Sequence, residues 1–131
     1  MTTELAALVF AILLGFVHLF LAANASTKVR GVDWNTGPRD EPKQPLAGVA
    51  GRLDRAFRNY LETFAFFAAA VLIAHLAGRH NFLTSYGAWI YVIARAIYLP
   101  LYAAGIPYLR SAVWGVGFLG TMMVLTGLYW P

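Results

Sequence analysis

An arginine, Arg95, stands inside an otherwise apolar stretch from Tyr86 to Ile106 that is long enough to cross a bilayer. A bare cation at such depth is costly, so it calls for a partner or a function. Tyr98 and Tyr102 follow at i+3 and i+7, on the same helical face. A second polar face lies upstream, where Arg55, Asn59 and Glu62 stand at i, i+4 and i+7 and Arg58 lies four residues before Glu62. Two polar stripes on two spanning helices predict a ligand site within the membrane.

The elements that must carry these stripes are set by composition. The chain has 131 residues, of which 60% are hydrophobic and only 12% charged, whereas soluble domains are roughly half apolar and about a quarter charged. An all-α integral membrane protein follows, and at ~20 residues per crossing the length suits one domain, residues 1–131, built as a four-transmembrane-helix bundle. Absence of cysteine excludes a disulfide, a thiol nucleophile of the chain's own and a Cys-based metal site. A net charge of +4 gathers between the first two apolar runs, a membrane-facing distribution, and no nucleic-acid partner is expected.

The spans are expected at about 5–25, 52–77, 82–105 and 110–129, with a loop over 26–51 whose prolines, glycines and alternating charges break regular structure. Ala23-Asn24-Ala25 imitates a signal-peptide cleavage site, but the preceding segment carries Glu4 and no cation and the apolar run is too long, so a retained helix is expected. Glycines 115, 117, 120 and 127 permit close approach by the fourth helix. Lys28, Arg30, Arg39, Lys43, Arg52, Arg55 and Arg58 place the first loop on the cytoplasmic side, and both termini then lie on the non-cytoplasmic side. Arg95 comes to lie roughly 16 Å from the cytoplasmic end of its helix at 1.5 Å per residue. Glu62 is the carboxylate at comparable depth, and the two are expected to face each other.

The segments Arg55-Ala56-Phe57-Arg58-Asn59-Tyr60-Leu61-Glu62-Thr63 and Arg95-Ala96-Ile97-Tyr98, with Tyr102 and the pair Arg110-Ser111, resemble the MAPEG family, the membrane-associated proteins in eicosanoid and glutathione metabolism. The resemblance extends over essentially the whole chain. It implies a homotrimer in membrane lipid that holds glutathione as co-substrate at subunit interfaces, near the cytoplasmic side. Carried over by position, Arg55, Arg58, Asn59 and Glu62 would bind glutathione, with Arg95, Tyr98 and Tyr102 lining the same pocket. Lys28 or Arg30 would reach it from an adjacent subunit. Arg110 and Ser111 would be catalytic, the cation stabilising the thiolate for attack on a hydrophobic small-molecule substrate. The ligand chemistry agrees: glutathione bears two carboxylates and one ammonium, and guanidinium forks match carboxylates bidentately. A nearby cation also lowers a thiol's pKa.

The implied function is a membrane-bound glutathione-dependent transferase or peroxidase acting on hydrophobic electrophiles or lipid hydroperoxides. Eicosanoid chemistry is not implied, because Thr63 stands where the leukotriene synthase has tyrosine and Tyr98 where the prostaglandin synthase has histidine. The first-loop residues Arg30-Gly31-Val32-Asp33-Trp34 resemble small bacterial members, which implies a bacterial inner membrane. Competing readings stay open. Arg52, Arg55 and Arg58 also suit lipid headgroups, Arg95 and Glu62 also suit a purely structural pair, and Arg110 also suits an interfacial anchor. A non-catalytic lipid-binding or scaffold protein of the same fold is the alternative. His18 is expected as a hydrogen-bonded core or interface residue, and His75 and His80, five apart, align poorly for one ion, so no metal is expected.

Overall fold

The computed structural model describes residues 1–131 as five helices and no strands: α1 (Thr3–Arg30), α2 (Val32–Thr36), α3 (Gly48–Leu76), α4 (Phe82–Ala104) and α5 (Pro107–Gly127). All but the short α2 are long and apolar enough to cross a membrane, so the chain is an all-α, multi-pass membrane bundle.

Local chemistry sets the helix ends. Thr2 caps α1 by accepting from the Leu5 amide at 3.3 Å, and Lys28 and Arg30 occupy the last turn, where cations suit the negative end of the helix dipole. Asn81 and Thr84 form a reciprocal capping box at the start of α4. Gly105, at φ 77, ends that helix in the left-handed conformation that glycine adopts without strain, and Pro107 opens α5 at its first turn.

Several boundaries differ from expectation. α1 continues five residues beyond Ala25, because nothing between Ser26 and Arg30 breaks a helix and Gly31, at φ 88, is the first residue to do so. The expected loop over 26–51 therefore shrinks: α2 occupies part of it and α3 already begins at Gly48. α5 starts at Pro107 rather than Arg110, which puts Arg110 inside the first turn.

The core lies in the half of the bundle nearer the N-terminus. It is rich in small side chains (Ala7, Ala11, Ala70, Ala74 and Ala88) around Phe67 and Tyr91, whose rings stack at 3.9 Å. α4 and α5 approach most closely at Gly87 and Gly120. A Cβ on Gly87 would lie 2.6 Å from the Gly120 carbonyl oxygen, and one on Gly120 would lie 2.7 Å from the Tyr91 nitrogen. Of the four α5 glycines, Gly120 and Gly127 make close approaches, Gly117 makes ordinary contact with Ala94 and Arg95, and Gly115 meets nothing within 4 Å. The outer faces keep their apolar side chains exposed, Phe20 at 67% and Phe66 at 75%, as a lipid-facing surface does.

The N-terminal end of the bundle is closed by a polar knot. Glu4, 1% exposed, accepts from Thr84 Oγ1 at 2.6 Å and Ser85 Oγ at 2.9 Å, and its other oxygen lies 3.3 Å from His80 Nδ1. Asn81 Nδ2 donates to the Gly127 carbonyl at 2.8 Å. These bonds join the start of α1, the start of α4 and the end of α5, and they leave the opposite end of the bundle to carry the candidate site.

Candidate functional site

α3, α4 and α5 together line one cleft of about 480 Å³ at that opposite end. From α3 come Arg55, Arg58, Asn59 and Glu62, which the 3.6-residue period keeps on one side of the helix. α4 contributes Tyr98 and Tyr102, one turn apart with rings 5.5 Å from centroid to centroid and edge-on. α5 contributes Arg110, Ser111 and Trp114. Arg52 fastens the frame by donating to the Ala103 carbonyl at 2.9 Å, which ties the first turns of α3 to the last turn of α4.

Tyr102 sits between two guanidiniums. Its hydroxyl accepts from Arg55 Nε at 3.3 Å, and Arg110 lies over its ring at 4.5 Å. Arg110 makes no hydrogen bond in the chain, so its five N–H donors are free for an anion. Arg58 forms an i,i+4 ion pair with Asp54 at 3.1 Å on an exposed surface, a contact worth only a few tenths of a kcal/mol. Glu62 is exposed to the cleft and has no cationic partner. Ser111 donates to the Pro107 carbonyl at 3.2 Å, so its hydroxyl must rotate before it can serve a ligand.

Two expectations are corrected, for Arg95 and for His18. Arg95 does not face Glu62: it is 1% exposed, donates from Nη2 to Asn59 Oδ1 at 2.9 Å, and lies over the rings of Tyr98 at 4.3 Å and Tyr60 at 5.4 Å. Asn59 and Glu62 both line the cleft and, three residues apart, differ by about 60° around the helix, which is enough for Asn59 and not Glu62 to meet the guanidinium. Arg95 is thus behind the cleft wall rather than in it. Lys28 and Arg30, expected at the cleft of an adjacent subunit, lie outside their own chain's cleft: Lys28 is exposed, and Arg30 donates to the Gln44 carbonyl at 3.0 Å and stacks over Trp34 at 5.3 Å, organising the loop. His18 is buried as a core residue but neither ring nitrogen has a hydrogen-bond partner, and the ring instead stacks on Tyr60 at 4.6 Å.

Sequence reasoning omitted Trp114 from the cleft and Asp54 as the partner of its Arg58. Both were findable, since Trp114 is four residues after Arg110 and Asp54 four before Arg58, the spacing that shares a helical face. Trp114 is also the hinge to a second, apolar slot of about 160 Å³, lined by Thr63, Phe66, Tyr91, Arg95, Phe118 and neighbours on α5. A polar cleft thus opens beside an apolar one, and Trp114 walls both.

This pairing of a charged cleft with an apolar slot on four spanning helices agrees with a family comparison, in which the model of the MAPEG family matches residues 5–130. The chain belongs to the MAPEG family. Comparison with curated proteins finds none that matches. Membership places this MAPEG protein among integral membrane proteins of glutathione and eicosanoid metabolism. Three guanidiniums and one carboxylate converge on a volume suited to a small ligand.

Proposed function

We propose that this MAPEG protein binds glutathione in the cleft and transfers it to, or uses it to reduce, hydrophobic electrophiles drawn from the bilayer. The observation that carries the reading is the charge pattern of the cleft: Arg55, Arg58 and Arg110 with a single unpaired Glu62 complement a ligand with two carboxylates, one ammonium and an ionisable thiol. Glu62 takes the ammonium, Arg55 and Arg58 take the carboxylates, and Asn59, Tyr98 and Tyr102 complete the polar wall. Arg95 supports this wall from behind.

Arg110 is the group best suited to hold negative charge on sulfur, because its guanidinium is held by a ring face rather than by an acceptor. Ser111 is a second donor to sulfur. The thiol proton leaves to solvent, and the sulfur lone pair forms a bond to an electrophilic carbon held in the apolar slot. The displaced group, or the carbon's electron pair after protonation, completes the balance. With a lipid hydroperoxide, two glutathione molecules are oxidised to the disulfide while the O–O bond is reduced to an alcohol and water.

A homotrimer completes the reading, with Lys28 or Arg30 of one subunit extending the cleft of the next, and with the cation-rich first connection on the cytoplasmic side. Calorimetric titration of the detergent-solubilised protein with glutathione tests the assignment. Saturable binding that disappears in Glu62→Ala supports it. No binding to assembled wild-type protein overturns it in favour of a lipid-binding or scaffold role for the same cleft and slot.

A further inference from the structure

Arg95 stands behind the polar cleft and borders the apolar slot, and no carboxylate neutralises it. It is 1% exposed, its Nε and Nη1 have no partner, and its only hydrogen bond goes to the neutral Asn59 carbonyl oxygen. The two ion pairs of the chain, Arg58–Asp54 and His80–Glu4, lie elsewhere. Its aliphatic stem packs against Gly117, with Cδ 3.5 Å from where a Cβ would stand, so α5 backs the side chain. An unneutralised cation in a spanning helix is costly, and such residues mark function more often than packing.

Its single bond has a directional consequence. An amide side chain has one acceptor end and one donor end. With Asn59 Oδ1 taken by Arg95, the donor end, Nδ2, has no partner in the protein and belongs to a residue that lines the polar cleft. The opposite amide orientation would bring the Asn59 NH₂ against a guanidinium, two donors face to face, and would turn an acceptor into a cleft meant for anions. Tyr98, whose ring lies 4.3 Å from the guanidinium, lines the same cleft. We infer that Arg95 is a positioning residue: it locks the Asn59 amide with its N–H donors aimed into the cleft, so that an asparagine reads a carboxylate of the bound ligand. The inference rests on the glutathione reading above and adds to it the residue that sets the polarity of Asn59.

Because Arg95 acts through Asn59, the two substitutions must be non-additive, which a residue that only stabilises the bundle would not produce. Glutathione affinity is measured by calorimetry on the full-length protein in detergent for wild type, Arg95→Gln, Asn59→Ala and the double variant. Each single substitution is expected to weaken binding about tenfold, the loss of one hydrogen bond to a charged group. The double variant is expected to be about tenfold weaker as well, since the second change removes nothing further. A roughly hundredfold loss in the double variant would show independent action and overturn the inference. Should Arg95→Gln fail to assemble, Arg95→Lys keeps the cation but not the planar fork, and the same cycle is run with it. Wild-type protein that binds no glutathione removes this inference together with the functional reading, whereas wild-type binding with an additive cycle removes this inference alone.

Discussion

The two ends of the bundle are both polar and behave oppositely. At the N-terminal end, the Glu4 carboxylate is buried and surrounded by Thr84, Ser85 and His80, and Asn81 closes the last turn of α5. At the other end, Glu62 has no partner, Arg110 touches only a ring face, and Arg58 is held by an exposed ion pair. The knot satisfies its charge internally and so has nothing left to offer a ligand. The cleft keeps three cations and an anion facing open space, which is a poor way to stabilise a fold and a good way to receive a zwitterion. Polarity alone does not mark a site in this protein; unmet polarity does.

The comparison breaks most visibly if the knot is opened. Glu4→Leu strips the charged acceptor from Thr84 and Ser85 at a junction of three helices; the Thr84 hydroxyl keeps the Asn81 carbonyl at 2.9 Å, whereas the Ser85 hydroxyl loses its partner. A loss of about 2 kcal/mol is expected for removing the hydrogen bonds to a charged group. Thermal unfolding in detergent should show it, while glutathione affinity of the protein that remains folded should stay within about twofold, because the cleft lies at the far end. Lost affinity in a folded Glu4→Leu protein would mean that the ends are coupled.

At the cleft the effects should reverse, with function falling and stability unchanged. Arg110→Ala is expected to lower turnover about a hundredfold, the scale for removing one group that stabilises developing negative charge, with glutathione affinity nearly kept. Unchanged turnover would reduce Arg110 to an interfacial anchor. Glu62→Ala should weaken glutathione binding by tenfold or more, the value of a charge-assisted contact to the ammonium, and leave the unfolding temperature unmoved. A drop in stability would show that Glu62 has a structural partner across the membrane interface of a neighbouring subunit.

The contrast also explains what could be read before the structure. Four spans were legible because apolar runs of membrane length admit few alternatives, and the cleft was legible because Arg55, Asn59 and Glu62 repeat at the helical period on α3 while Tyr98 and Tyr102 repeat on α4. The knot was not, since Glu4 and Thr84 stand eighty residues apart and each looks alone like an ordinary helix-terminal residue. The partner of Arg95 was misassigned for a related reason. Charge favours Glu62 over Asn59, and only the tertiary fit of α3 against α4 decides which of two residues on one helical face reaches the guanidinium. His18 fell to tertiary packing too, since a ring stacked on Tyr60 has no period to announce it.

The finest distinction between the two ends rests on Asp54. If the cleft is built to leave its cations available, then the one carboxylate that engages a cleft arginine competes with the ligand. Asp54 and Arg58 are joined at 3.1 Å with Arg58 two-thirds exposed, so the pair adds little to stability. Removing the charge by Asp54→Asn therefore should not lower the unfolding temperature, and it should tighten glutathione binding about twofold, the few tenths of a kcal/mol released when an exposed i,i+4 pair no longer has to be broken. Low ionic strength should enlarge the effect and high salt erase it, because the pair is screened by solvent. Weaker binding in Asp54→Asn would mean the opposite: Asp54 orients Arg58 toward the ligand, and this end of the bundle would then share with the knot a dependence on internal pairing.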